Sequence, residues 1–391
     1  MTPLRILHVS VGLESGGAEM MLYKLVSRTD RSRFEPHVVS LTDEGPLIGR
    51  RLRKAHVPLT TLGFRRGTPN PGLVLALIRA MKSVKPDLVQ TWMYHADLVG
   101  GLAGQFVRGV PIIWGLHNSH FDPKHAKPSL LRVVAANRRL SRWLPTRIVC
   151  CSEAVRTIHA NLGYDPAKLC TIPNGLDTSE FVPDSHAPSA LKRELGIAPQ
   201  SPLIGYIARW DPQKDHAMFL NAAKLIARQR GDVHFLLCGT GMESGNTELS
   251  RLVAEANLNG RLHLLGLRSD VPYITAGLDV ASCCSSYGES FALVLGEAMA
   301  CGVPVVSTNL PGPASVIGEE GWIVPTGNAE AIASAWRDML SLTPPERAER
   351  GTRARQRIVE HFSIQKMVER YERLYTEVAA STGVSVFAEA R

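Results

Sequence analysis

Hydrophobic positions along the chain repeat as short β-branched runs followed by longer stretches with apolar residues every three or four positions. In the first half the short runs are residues 6–10, 37–41, 88–92, 112–116 and 148–151, and the amphipathic stretches are 18–27, 47–55, 98–107 and 155–162. Short apolar runs bounded by turn residues suit strands buried on both faces, and the longer periodic stretches suit helices packed against them. Strands alternating with helices predict a parallel sheet whose ligand site lies beyond the carboxyl ends of its strands. The rhythm pauses at 173–202, where Pro173, Asn174, Gly175, Pro183, Pro188, Pro199 and Pro202 surround one short helical piece, and this stretch is the predicted linker.

A second series follows, with strands at 203–208, 233–238, 262–265, 280–282 and 303–307 and helices near 217–229, 247–256 and 291–301. After a run at 322–324 come helical stretches 329–342, 347–361 and 365–379. The predicted fold class is α/β, with two Rossmann-like doubly wound domains facing a deep cleft. The expected divisions are 1–180 and 181–362, and the last helix, about 363–380, is a candidate to pack back on the first domain. A chain of 391 residues exceeds what one core usually supports, and facing switch points suit an enzyme that holds two substrates.

Composition narrows the class. With 45% hydrophobic and 20% charged residues the chain is an ordinary globular protein and not a disordered one. Apolar runs such as 110–116 are far shorter than a membrane span, and the N-terminal run 6–9 is too short for a signal-peptide core, so a cytoplasmic protein is predicted. Seven cysteines, including Cys150-Cys151 and Cys283-Cys284, show no zinc or redox spacing and read as buried thiols. Charge is uneven: residues 1–183 hold 24 Lys and Arg against 13 Asp and Glu, whereas 184–391 hold 20 against 23. The basic half, with Arg65, Arg66, Arg132, Arg138, Arg139, Arg142 and Arg147, suits an anionic membrane surface or a lipid-linked acceptor. No helix-turn-helix, zinc finger or aromatic-interleaved basic stretch is present, so nucleic acid is not an expected partner.

The strongest chemical pattern is the stretch 285–306, SSYGESFALVLGEAMACGVPVV, a strand feeding a polar turn and then a helix. Amides at Ser290, Phe291, Ala292 and Leu293 at a helix start, aided by the peptide dipoles, suit a diphosphate. Glu289 and Glu297 lie eight residues apart, and a helix between them would separate the carboxylates by roughly 12 Å along its axis. That span is too long for a glycosidase pair and suits a ligand: Glu289 on sugar hydroxyls, amides on phosphates, Glu297 on ribose. Taken singly, a Glu near a helix start more often compensates the dipole.

This spacing resembles the Glu-x7-Glu signature of retaining GT-B glycosyltransferases of family 4, and the resemblance extends along nearly the whole chain. It implies the same two roles for Glu289 and Glu297. The chain departs from the pattern at Ser290 and Ala292, where glycine is frequent, which bears on sugar specificity. Gly205 to His216 also resembles the family: a strand-end Arg209 and a loop Lys214 suit a diphosphate whose charge grows as it leaves. Gly239 and Gly241 resemble a glycine turn beside the nucleotide. In the first half, Gly16 and Gly17 resemble the family's Gly-Gly-Ala-Glu loop near the donor phosphates, although by themselves they mark only a tight strand-to-helix turn. The resemblance gives His117, at the end of an apolar strand, a hydrogen bond to the donor sugar or reacting centre. Tyr94, His95 and Asn118 are candidate acceptor contacts, with a plain strand-end role as the other reading. Ser152 reads as a helix cap, and Asn174-Gly175 as a turn at the domain junction.

The expected activity is transfer of a sugar from a nucleoside diphosphate to a hydroxyl on a glycan or lipid-linked acceptor, with retention, in cell-envelope polysaccharide or glycolipid synthesis. The chain has no Asp-x-Asp to hold a divalent ion beside a diphosphate, so no metal and no cofactor are expected. A nucleotide-sugar epimerase, a phosphorylase and a non-catalytic nucleotide-sugar binding protein share the architecture and stay open here. An NAD-dependent dehydrogenase fits less well, because the first strand-to-helix turn lacks GxGxxG and no acidic residue closes the second strand.

Overall fold

A computed structural model describes residues 2–14, 16–65, 70, 72–107, 109–124, 126–258 and 260–382. Arg66, named above, and Ser15, next to Gly16, lie outside the described residues. The chain forms two compact units, one running to Gly175 and resumed from Ile364, the other Leu176–Ser363.

The first unit contains β1 (Leu4–Ser10), α1 (Gly17–Val26), β2 (Phe34–Ser40), α2 (Ile48–Lys54), β3 (Leu59–Thr61), α3 (Gly72–Val84), β4 (Leu88–Trp92), α4 (Tyr94–Gly104), β5 (Ile112–Leu116), α5 (Pro128–Leu140), β6 (Arg147–Cys150), α6 (Glu153–Leu162) and β7 (Leu169–Thr171). Its sheet runs β3-β2-β1-β4-β5-β6-β7, all parallel. The order reverses between β1 and β4, which makes the carboxyl ends of these strands the natural ligand edge. β4 and β5 are buried along their whole length, as helices on both faces require.

The second unit contains α7 (Ala187–Glu194), β8 (Leu203–Ile207), α8 (His216–Gln229), β9 (His234–Cys238), α9 (Thr247–Ala256), β10 (Leu262–Leu264), α10 (Val271–Ala276), β11 (Val280–Cys283), α11 (Leu293–Ala300), β12 (Val305–Thr308), α12 (Pro311–Ile317), β13 (Trp322–Val324), α13 (Ala329–Ser341) and α14 (Pro344–Phe362). Its parallel sheet runs β10-β9-β8-β11-β12-β13, with the reversal between β8 and β11. Phe219, Phe235 and Trp336 fill one layer of its core. The last helix, α15 (Ile364–Ser381), belongs to the first unit and buries Met367, Tyr371, Leu374 and Tyr375 there. Tyr371 lies against Trp92, and Tyr375 against His8 and Phe34. At the exit from the first unit, a Cβ on Gly175 would fall 2.8 Å from the Ile364 Cα, so the close approach of the returning helix depends on glycine there.

Several elements were not anticipated. β3 and β7 have three residues each, too short to show alternation. α5 carries so many arginines that only Val134 and Asn137 are buried on it. α4 starts at Tyr94 instead of residue 98, because Met93 takes a positive φ (73°, with ψ 156°) and turns the chain straight from strand into helix. No described helix is long and apolar enough to cross a membrane. All seven cysteines are free thiols; burial pushes the Cys150 and Cys151 thiols up, the latter to about 12.

Asp97 of α4 is fully buried, with Oδ1 accepting from Thr91 Oγ1 at 2.5 Å and Gly115 N at 3.3 Å. Burial pushes its pKa up to about 7 against those two hydrogen bonds. The folded state therefore keeps a proton that the unfolded chain releases from about pH 4 upward, so this group's contribution to stability falls as pH rises to 7. His8, His117 and His159, lowered to about 3, 4 and 4 by burial, act in the opposite sense below pH 6.5. Comparing wild type with Asp97→Asn isolates the carboxyl. In denaturant titrations the variant should gain on wild type between pH 4 and pH 7, by on the order of 3 kcal/mol. Parallel pH profiles for the two proteins would contradict this assignment.

Candidate active site

The reversal in the second sheet makes β8 and β11 neighbours, with Ile204 opposite Val280 and Gly205 opposite Ala281. The turns that follow these two strands therefore meet, although 75 residues separate Lys214 from Glu289. After β8, Asp211 caps a short 3-10 turn, Pro212–Lys214, by accepting from Gln213 N at 3.0 Å. Asp215 then takes a left-handed conformation (φ 48°, ψ 58°) and caps α8 through Met218 N at 3.1 Å. This double cap aims the Lys214 side chain across the turn after β11, where its ammonium pairs with Glu289 Oε1. Ser285 Oγ donates to the same oxygen at 2.7 Å. The turns are also joined by Ser286 N donating to Gln213 O (2.9 Å), and Tyr206 Oη of β8 donates to Lys214 O (2.9 Å). Thr308 of β12 donates to Ser285 O at 2.6 Å and fixes the far side.

Oε1 of Glu289 is thus held by two donors, while Oε2 has no partner among the described residues. Arg209 stays exposed, its guanidinium resting on Asp211 Oδ2 at 2.9 and 3.2 Å. Beneath it His216 is stacked between Tyr206 (5.2 Å) and Trp210 (5.1 Å). Burial, aided by the charge of Lys214, pushes the His216 pKa down to about 4, so the ring is neutral at neutral pH. Gly239 (φ 140°) and Gly241 (φ 83°) support this turn from below: a Cβ would fall 2.3 Å from Ala208 O at the first and 2.5 Å from Trp210 Cβ at the second. Their glycine requirement is met by packing against the Arg209 turn.

The helix expected to join Glu289 to Glu297 is shorter than the spacing implied. α11 begins only at Leu293, after Ala292 in a left-handed conformation (φ 58°, ψ 66°). Glu289 sits on the preceding turn, and Glu297 is four helical steps beyond Leu293, about 6 Å of rise. Glu297 and Leu293 are half-buried, as is Ser290, and Phe291 is buried against Phe362 at 5.6 Å. Ala292 offers no side-chain cap, so the first-turn amides of α11 lack that acceptor.

In the first unit, Gly16 leads into α1 in extended conformation, and a Cβ on it would fall 2.0 Å from Glu19 Oε2. Gly17 differs: no atom lies within 4 Å of the place a Cβ would take, so open space surrounds it. His117 follows β5 and stacks on Trp92 at 5.3 Å with 22° between the rings, while Trp92 Nε1 donates to His8 Nδ1 at 3.3 Å. Burial pushes His117 down to about 4, with the Asn174 side chain opposing, so it is a neutral imidazole at neutral pH. Asn118 folds its side chain onto His120 N and O at 3.2 and 3.1 Å. Ser152 caps α6 through Val155 N at 3.2 Å.

Tyr94 does not fit an acceptor contact. It lies at the start of α4 and not at a strand end, is completely buried, and directs its hydroxyl to Asn118 O (3.2 Å) and His159 Nε2 (3.0 Å). Its position holds the turn after His117 in place. His95 is exposed in the first turn of the same helix.

Residues 189–357 match the family model for glycosyl transferases group 1, and residues 15–180 match that for glycosyltransferase family 4. The D-inositol 3-phosphate glycosyltransferase of Corynebacterium jeikeium is 32% identical over 315 residues, spanning 76% of this chain and 71% of that protein. The chain belongs to the group 1 glycosyltransferases. A second relative, the UDP-Gal:alpha-D-GlcNAc-diphosphoundecaprenol alpha-1,3-galactosyltransferase of Escherichia coli, is 26% identical over 322 residues, 79% of this chain and 80% of that protein. Anabaena HepE in complex with UDP superposes with a TM-score of 0.83 at 23% identity, covering 96% of this chain and all of that one. WaaG, a glycosyltransferase of lipopolysaccharide biosynthesis, does so with a TM-score of 0.73 at 14% identity, covering 95% and 99%. The fold is GT-B.

Three residues of this glycosyltransferase's candidate site escaped the sequence reading. Ser285 and Tyr206 support the Lys214 and Glu289 turns from below, and Gly312 at the start of α12 lets that helix lie against the Glu289 backbone. A Cβ on Gly312 would fall 2.2 Å from Glu289 O and 2.6 Å from Ser290 C. The Pro-Gly-Pro at 311–313, directly after a strand, was the available signal. Two substitutions test this backbone argument in thermal unfolding. Ala292→Gly should stabilise by about 0.5–1 kcal/mol, since an L side chain is strained in the left-handed region. Gly312→Ala should destabilise by about 1–3 kcal/mol. A destabilised Ala292→Gly or a neutral Gly312→Ala would contradict the turn geometry.

Proposed function

We propose that this glycosyltransferase takes its sugar from a nucleoside diphosphate and passes it, with retention and without a metal ion, to a hydroxyl of a glycan or lipid-linked acceptor in cell-envelope synthesis. The observation that carries the reading is the Glu289 carboxylate of the second unit, anchored through Oε1 by Lys214 and Ser285 and open at Oε2. A carboxylate oxygen that is fixed and reachable suits a pair of sugar hydroxyls. Lys214, held beside it, suits the diphosphate attached to that sugar. Two relatives support the reading by their names, one for UDP-Gal and a lipid diphosphate and one for D-inositol 3-phosphate.

In the proposed reaction the bond from the anomeric carbon to the diphosphate oxygen breaks as the bond to the acceptor oxygen forms on the same face. The departing diphosphate oxygen takes the acceptor proton. Arg209, Lys214 and the amides that start α11 stabilise the charge that grows on the leaving group. Cations and amides placed there take the part that a divalent ion plays in metal-dependent transferases. Glu297 is assigned to the ribose. The first unit is assigned the acceptor; His117, neutral at working pH, is a hydrogen-bonding group there and not a general base. At Gly17, with open space around it, backbone is proposed to approach ligand.

Transfer from a nucleotide-sugar should proceed at full rate in excess EDTA and give a product with the anomeric configuration of the donor, read by NMR. Lys214→Ala should lower kcat/KM by roughly 100- to 1,000-fold, the usual effect of removing one group that stabilises leaving charge. Transfer abolished by EDTA and restored by magnesium, or an inverted product, would overturn the proposal.

A further inference from the structure

One surface of the first unit has no role in the chemistry above. Residues 98–147 contain eight Lys and Arg against a single carboxylate, Asp122. Arg132, Arg138, Arg139, Arg142 and Arg147 are all exposed. Among the described residues none of the five has an ion-pair partner, whereas Arg53, Arg156, Arg251 and Arg268 elsewhere on the surface each lie on a carboxylate. Unpaired like charges repel one another, so the arrangement costs stability that an external polyanion would restore.

Arg132, Ala135, Arg139 and Arg142 follow helical spacing and form one exposed stripe along and just beyond α5. Thirteen residues of helix give the stripe a length of about 20 Å. At one end it meets the exposed Lys124 and Lys127 in the loop that follows His117, and at the other it meets Trp143. Trp143 is 70% exposed, and Leu144 beside it packs toward Gly101 of the neighbouring α4. A large aromatic side chain in water beside unpaired arginines is poorly explained by nucleic acid or an acidic protein alone. An amphipathic indole prefers the boundary between lipid headgroups and acyl chains, and arginines prefer anionic headgroups.

We propose that the α5 face docks this glycosyltransferase on an anionic lipid bilayer, the arginine stripe on the headgroups and Trp143 in the interface. The helix then lies along the membrane, and the loop carrying Lys124 and Lys127 keeps the His117 edge of the unit near the lipid surface. Docking is independent of donor chemistry, so it stands or falls separately from the transfer reaction.

The test is co-sedimentation of the full chain with phosphatidylcholine vesicles and with vesicles containing phosphatidylglycerol, at low and high salt. Wild type should bind the anionic vesicles only, and salt should weaken binding. The triple variant Arg132→Gln, Arg139→Gln, Arg142→Gln should lose roughly 100-fold in affinity, at about fivefold per arginine. Quenching of wild-type tryptophan fluorescence by brominated lipid should largely disappear in Trp143→Phe, a substitution at an exposed site that leaves the core untouched. Donor binding unchanged in both variants confirms that they are folded. Equal binding to neutral and anionic vesicles, full affinity in the triple variant, undiminished quenching in Trp143→Phe, or preferential capture of an oligonucleotide over anionic vesicles would overturn the proposal.

Discussion

The candidate donor site depends on one buried ion pair, Lys214 with Glu289, and on the serine that shares its carboxylate oxygen. A charged pair with side chains only 15% and 9% exposed is costly unless every remaining hydrogen-bonding group is satisfied. Here the surroundings do this on the Oε1 side and leave Oε2 for a ligand: Ser285 supplies a second donor to Oε1, Thr308 holds the Ser285 carbonyl, and Tyr206 holds the Lys214 carbonyl. A buried pair contributes little net stability, and its value is positional. It keeps a carboxylate and an ammonium side by side before ligand arrives, so less side-chain freedom is lost on binding.

This pair exists because of topology. In a doubly wound sheet the strands on either side of the reversal leave in opposite directions around the sheet, and the turns after them face each other. β8 and β11 flank that point, and each of their turns contains a left-handed residue, Asp215 and Ala292. Both strained residues sit directly before helices, where they redirect the chain so that side chains and amides converge. Gly239, Gly241 and Gly312 allow other backbone segments to press on the same turns. The glycines around the site thus serve mainly to position its walls.

Much of this was legible in the sequence. The alternation of β-branched runs and amphipathic stretches located the long buried strands, because strands covered on both faces have an unmistakable apolar composition. The Glu-x7-Glu spacing marked the turn after β11, which the structure places beside the second sheet's reversal. What periodicity missed were the three-residue strands β3 and β7, the helices α3, α10 and α12, the arginine-rich α5 and the true start of α11, which is set by the left-handed Ala292 and not by hydrophobic spacing. Pairing across 75 residues was also invisible: Lys214 was read as a phosphate ligand and Glu289 as a sugar ligand, with no sign that each holds the other. Tyr94 was misplaced because an aromatic residue after a strand reads equally as rim or core, and burial decided for core.

The account rests on Glu289 meeting the sugar while its partner meets the diphosphate, and calorimetric binding to Glu289→Gln tests this most directly. Glutamine preserves an oxygen for Ser285 and Lys214 but replaces the second carboxylate oxygen with an amide. The account predicts that the variant binds the nucleoside diphosphate as wild type does and loses the added affinity that the attached sugar confers. Equal weakening toward the nucleoside diphosphate and the nucleotide-sugar, or no change toward either, would contradict it.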